Sequence, residues 1–168
     1  MLYDSTNDVR SLEQLEKARV ELPKSLPLID TISQIAIFKG NMHLAEVRLT
    51  ELGQRFTEKN YHEQAAKTWV KLGELWRQNP DNYNRAERTF NRALKLVPNY
   101  IPAFQGLSGL AEDRGNLLDA CQYLDQAITL TENNHRLMPV LKEMRARFEQ
   151  LSMPAKACLL YTSDAADE

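Results

Sequence analysis

Ser33 and Ser108 stand in otherwise apolar segments, where a sheltered nucleophile could sit. Both occupy a small-residue position, and packing is the stronger reading of each. His43, His62 and His135 are far apart in the chain and form no HxxxH or HExxH pair, so they give no metal or acid–base signature. Cys121 follows Ala120 and has no CxxC partner or nearby histidine, which reads as an inert, partly buried thiol. No glycine-rich phosphate loop is present. Trp69 and Trp76 are seven residues apart and read as core rather than as a ligand platform. Arg85, Arg88, Arg92 and Lys95, at spacings of 3, 4 and 3, make a basic stripe along one helix. A solvated outer face is its simplest reading. An acidic or nucleic-acid partner is the alternative, with phosphate contacts that would weaken steeply with salt. No constellation for catalysis, cofactor or metal emerges.

The totals point the same way. Apolar residues are 43% and charged residues 26% of 168, an ordinary balance for a globular chain. A formal charge of −2 disfavours a general nucleic-acid or anionic-membrane binder. No stretch approaches the roughly 18 apolar residues of a membrane span. The first ten residues, MLYDSTNDVR, are not a secretory signal. Two cysteines make neither a disulfide framework nor a zinc site. The expected location is cytoplasmic.

The elements that would position these residues are helices. Strand-like alternation and hairpin dipeptides are absent. Helical spacing predicts helices over 9–22, 27–39, 42–57, 61–78, 83–96, 101–114, 117–131 and 135–151. Prolines and glycines fall between them, at Pro23, Pro27, Gly40, Pro80, Pro98, Pro102 and Gly115. Short connections make neighbours antiparallel. The fold class is all-α.

The chain also resembles itself. Ala86, Phe90 and Ala93 recur 34 residues later as Ala120, Leu124 and Ala127. Ser11, Leu15 and Ala18 recur at the same interval as Ala45, Leu49 and Leu52. The segments beginning at Pro27 and Pro102 align without a gap at an offset of 75, sharing Ser33/Ser108, Ala36/Ala111, Gly40/Gly115 and Asn41/Asn116. Trp69, Leu72, Gly73 and Trp76 lie between them. This pattern resembles the tetratricopeptide repeat, W-x2-L-G-x2-Y, then A-x3-F, then P, over 34 residues. Within that family it resembles bacterial multi-repeat scaffold proteins. In such repeats the small residue of the first helix admits its partner closely, and the Ala/Phe/Ala stripe packs into that contact. Gly40 and Gly115 fit left-handed helix ends, and Pro98 stops a second helix.

The resemblance implies a right-handed α-solenoid of antiparallel helix hairpins, about three and a half of them. Expected units are a truncated second helix at 1–23, repeats at 24–58, 59–99 and 100–134, a truncated first helix at 135–157, and a tail at 158–168. Ala45 and Ala86 are 41 residues apart, so the 59–99 unit carries seven extra residues. One is placed in the following turn and six in a lengthened first helix through Tyr61–Ala66. A second phase pairs Leu49, Leu52, Gly53 and Phe56 with Ala65, Trp69 and Leu72, and ranks behind the first.

In this family a concave surface lined by the first helices usually receives the partner. Mapped here, it presents Asp30, Gln34, Lys67, Glu74, Arg77, Gln105 and Glu112. The positions of the family's chaperone-tail carboxylate clamp hold Val70, Glu74, Gln105 and Gly106, which departs from that clamp. The function implied is a non-catalytic protein-interaction scaffold or adaptor. The alternatives are a regulatory or substrate-docking array of a larger enzyme and, more weakly, an RNA-binding helical array, for which no base-reading pair recurs.

The ends carry a separate expectation. Cys158–Glu168, CLLYTSDAADE, continues no earlier pattern, and its codons can be written as a transposon-end adapter used in short-read library preparation. It therefore resembles translated adapter read-through, and without it 20 acids face 21 bases. The chain is expected to be a fragment cut at both ends. Met138, Leu141, Met144, Phe148 and Leu151 would then form an uncovered apolar stripe through which the chain self-associates or frays.

Overall fold

A computed structural model of the chain describes residues 5–132, 146–147 and 149–152. The described residues hold seven α-helices: α1 (Ser5–Glu21), α2 (Leu26–Phe38), α3 (Met42–Glu58), α4 (His62–Arg77), α5 (Tyr83–Leu96), α6 (Ile101–Asp113) and α7 (Leu117–Glu132). A 3-10 turn at Pro80–Asn82 joins α4 to α5. Residues 146–147 and 149–152 are helical, and the rest of the expected helix at 135–151 lies outside the described residues, as does the tail at 158–168.

The helix ends follow local chemistry. Proline stands in the first turn of α2 and of α6, where its missing N–H costs no hydrogen bond. The Asn41 side chain accepts a hydrogen bond from the Leu44 N–H at 3.1 Å and caps α3. Gly40 and Gly115 adopt φ of +71° and +76°, as expected for left-handed stops. The Asn41 and Asn116 N–H groups then close back onto Ala36 O and Ala111 O, each at 2.8 Å. α3 ends the same way on Asn60, at φ +59°, with the Tyr61 N–H donating to Phe56 O at 2.9 Å. α5 ends differently: Val97 turns extended before Pro98, which cannot continue the ladder.

Successive helices pack as antiparallel neighbours, and α4 also packs on α6. The architecture is an all-α solenoid. Its core is a run of fully buried small residues, Ala36, Ala45, Ala86, Ala93, Ala103, Ala120 and Ala127, with larger side chains set between them. The principal cluster gathers Leu49, Trp69 and Leu72, a second joins Phe90 to Leu107 and Leu110, and a third surrounds Leu124. Small residues set the helix spacing. A Cβ on Gly73 would lie 2.6 Å from the Phe90 ring, and one on Gly106 would lie 2.4 Å from it, so both backbones touch that ring.

Two details differ from the sequence expectation. The lengthened first helix gains less than expected: α4 has 16 residues against 13 in α2 and α6, three more rather than six. The α3–α4 pair is also as intimate as a hairpin. Gly53 backs directly onto Trp69, where a Cβ would meet the ring at 2.8 Å. The lower-ranked phase, with Gly53 facing Trp69, thus describes a real interface. α4 packs on both α3 and α5, and Trp69 and Gly73, four residues apart, lie one turn apart on the same side of it.

Candidate functional site

The first helices α2, α4 and α6 carry the seven positions named for a partner surface. Asp30 and Gln34 lie one turn apart on α2, where Gln34 Nε2 donates to Asp30 Oδ2 at 2.8 Å. Lys71 of α4 reaches Asp30 Oδ1 at 3.4 Å, so α2 and α4 are tied through side chains although their backbones do not pack together. Lys67 is exposed one turn before Lys71. Glu74 and Arg77 form a pair at 3.5 Å, and Arg77 Nε also lies 3.1 Å from Asp113 Oδ2 of α6. Arg77 rests against the bare backbone of Gly109, where a Cβ would stand 2.0 Å from Nη1. Glu74, Arg77, Gln78, Tyr83 and Asp113 line an open hollow beside the α4–α5 turn. Gln105 is half-buried, and Glu112 Oε1 faces Arg147 Nη2 at 2.6 Å.

The structure therefore brings Asp30 to Gln34 and Glu74 to Arg77, and spreads the others along three helices. Sequence reasoning missed Lys71 and Asp113, the residues that join one helix to the next. Their signal was faint: each is one residue from an apolar or acidic neighbour and carries no motif. At the carboxylate-clamp positions, Gly106 is buried under Phe90 and offers no side chain, while Val70 is half-buried.

The basic stripe of α5 divides. The Arg85 guanidinium pairs with Glu46 of α3 at 2.6 Å and lies 4.3 Å over the Trp76 ring. Arg92 lies 4.0 Å over Trp69. Arg88 and Lys95 are exposed, with no ion-pair partner among the described residues. The stripe is thus only half a solvated face, since long side chains lay their stems and cations over neighbouring rings.

A second ionic cluster links α1 and α3. Arg48 donates to Glu16 through Nε at 2.7 Å and Nη2 at 2.8 Å, and to Glu51 through Nη1 at 2.8 Å. Burial pushes the Glu16 carboxyl up, but the Arg48 and Arg19 guanidiniums more than offset this and hold it below its ordinary value. Burial also pushes up the Tyr123 phenol, as do Glu87 and Asp119 beside it, with Arg114 acting in the opposite sense.

The remaining candidates are structural. Ser108 Oγ donates to Ala120 O at 2.9 Å across the α6–α7 hairpin, and Ser33 Oγ donates to Asp30 O at 2.7 Å within α2. Cys121 is 8% exposed. His43 and His62 are exposed at the starts of α3 and α4, separated by most of the length of α3, roughly 23 Å. His135 and Cys158 lie outside the described residues.

No family model matches the chain, and no curated protein does. Solved structures do. The type III secretion translocator chaperone SycD of Yersinia enterocolitica superposes with a TM-score of 0.62 at 13% identity, covering 80% of this chain and 88% of its own. MamA MSR-1 gives 0.58 at 20% identity, over 77% and 70%. TTC0263, a thermophilic TPR protein of Thermus thermophilus, gives 0.51 at 16% identity, over 90% and 94%. The chain has the tetratricopeptide-repeat fold. Within it, Gly73, Ala86, Phe90 and Ala93 take the small–small–large–small roles of one hairpin, and Ser108, Ala120, Leu124 and Ala127 repeat them in the next. At these identities the likeness is one of fold. Among the described residues, no helix is long and apolar enough to cross a membrane.

Proposed function

We propose that this tetratricopeptide-repeat chain is a non-catalytic scaffold whose first helices receive a segment of a protein partner. The observation that carries the reading is the pair of cross-helix ties, Asp30–Lys71 and Arg77–Asp113, which span α2, α4 and α6. They fix three helices side by side before any partner arrives, so little ordering cost is left to association. The face they hold carries Asp30, Glu74 and Glu112 beside Lys67 and Arg77, with Gln34 and Gln105 as neutral donors and acceptors. Such a lining suits an extended or helical segment of mixed charge. SycD is a type III secretion translocator chaperone, and a binding role on the same fold supports the reading by analogy.

In this reading the units are those expected from the repeat, 24–58, 59–99 and 100–134, each contributing one first helix to the face. The two serines serve packing, each spending its hydroxyl on a backbone carbonyl. The test is selection of binding peptides from a displayed library against the purified chain, followed by titration with Lys67→Glu and Gln34→Arg variants. Lys67 and Gln34 are exposed, so the variants fold. Loss of affinity by several-fold in both is expected. Selected peptides that bind both variants as tightly as the parent chain would overturn the reading.

A further inference from the structure

We propose that the outer face of α5 is a second docking surface, taking an acidic segment of a protein independently of the first-helix face. The cations here are not all alike. Arg85 is neutralised by Glu46, and Glu87, the one acid within the stripe, is spent on Arg114 at 2.7 Å. That leaves Arg88, Arg92 and Lys95 with no acid paired to them among the described residues. These three line a shallow hollow together with Asn91 and Leu94. The net charge of the chain is −2, so this is a local excess of positive charge against an acidic whole.

The spacing favours a peptide. Arg88 and Lys95 are two helical turns apart, about 10.5 Å along the axis. Acids at i and i+7 of a helix match that rise. Arg92 between them already lies over Trp69, so its guanidinium loses little freedom on binding. Leu94 is half-buried and offers an apolar contact to an acidic segment that also carries aliphatic side chains. A nucleic acid is the poorer fit. Bases need a ring to stack on, and none of the hollow's lining residues is aromatic. Trp69 is 2% exposed beneath Arg92, and so it offers no platform.

The experiment uses the whole chain and two fluorescent probes, a glutamate–leucine peptide with glutamates seven residues apart and a single-stranded oligothymidylate of equal charge. Anisotropy titrations at low and high salt are run on the parent chain, on Arg88→Glu/Lys95→Glu, on the milder Arg88→Gln/Lys95→Gln, and on Lys24→Glu as an exposed control on the turn between α1 and α2, neither of which packs on α5. Arg92 is left alone because it covers Trp69. The acidic peptide is expected to bind the parent chain more tightly than the oligonucleotide and to weaken with salt. It should lose about tenfold or more on charge reversal, a smaller part on neutralisation and nothing in Lys24→Glu. Circular dichroism of unchanged amplitude keeps a loss from being a folding defect, and the neutral pair replaces the reversed pair if that amplitude falls. No binding at low salt, equal binding by the reversed variant, or tighter binding of the oligonucleotide would each overturn the proposal. The substitutions touch no first-helix residue, so failure here leaves the first-helix reading standing, and failure there leaves this one.

Discussion

The Arg92 guanidinium lies 4.0 Å from the centre of the Trp69 ring, and seven residues earlier on α5 Arg85 repeats the contact on Trp76 at 4.3 Å. Two tryptophans seven apart on α4 are matched by two arginines seven apart on an antiparallel α5, so both pairs fall in one register. Each ring is roofed by a cation with an aliphatic stem, which covers apolar area and meets the negative face of the indole.

Replacing Arg92 with alanine should therefore cost about 1 kcal/mol and let water reach Trp69. In a Trp76→Phe background, where Trp69 alone emits, the emission maximum should move to the red and the urea midpoint should fall. Arg92→Lys should recover only part, because an ammonium does not stack on a ring as a guanidinium does. An unmoved maximum would mean that the roof contributes nothing.

Gly106 and Gly109, three residues apart on α6, should respond to alanine in opposite ways. A Cβ at Gly106 meets the fully buried Phe90 ring at 2.4 Å, and that ring is already pressed on Gly73. Overpacking of about 1–3 kcal/mol outweighs the gain in helix propensity of about 1 kcal/mol. At Gly109 the obstacle is the Nη1 end of Arg77, whose side chain is 29% exposed and free to swing outward. There the propensity gain balances the lost Asp113 contact, and stability should stay within about 1 kcal/mol of the parent chain. Chemical denaturation ranks the two. Adding Phe90→Leu to Gly106→Ala should cost less than the sum of the single changes, since the smaller side chain admits the new methyl.

Ser33 and Ser108 make a similar contrast at positions that the repeat aligns. Ser108 Oγ spans two helices to Ala120 O, whereas Ser33 Oγ only returns to Asp30 O in its own helix. Ser108→Ala should lose about 1 kcal/mol. Ser33→Ala should be neutral or slightly stabilising, because a serine bonded back to its own turn adds little to a helix. Thermal unfolding of the two single variants checks the difference.

Much of this fold was legible because the sequence repeats its steric pattern. Ala86, Phe90 and Ala93 return as Ala120, Leu124 and Ala127, and each of the six is buried, as a hairpin stripe requires. Helix spans followed from apolar spacing, with α5 expected at 83–96 and found there. The helix stop at Asn60 was not legible, since asparagine takes left-handed φ only in some settings while Gly40 and Gly115 announce it. Periodicity also placed six of the seven extra residues in α4 and one in the following turn, because it cannot say which of several adjoining elements absorbs an insertion. Charged side chains were the least legible. Arg85 and Arg92 look solvated in a helical projection, yet they reach rings on the next helix, and Lys71 and Asp113 acquire roles only once α2, α4 and α6 lie together.

The N-terminal helix should be the part of the solenoid most sensitive to acid. Glu16 receives two parallel hydrogen bonds from Arg48 of α3 and a third from Arg19 at 2.9 Å. Burial raises its carboxyl pKa, the guanidiniums outweigh that, and the folded value lies below the ordinary 4.5. A depressed folded pKa means that the unfolded chain takes up the proton first. The contribution of Glu16 is therefore intact above the ordinary carboxylate value, and it is lost as pH falls through the folded one. Among the described residues, α1 packs on α2 alone of the helices. Glu16→Gln keeps the shape of the side chain but not its charge, so at pH about 7 it should speed amide exchange across the second half of α1 relative to the parent chain. As pH falls through the folded value of Glu16 the two proteins should approach each other, because the parent then loses the same charge. A gap in protection that stays constant from neutral pH to the acid end would show that the Arg48 contact does not tie α1 to α3.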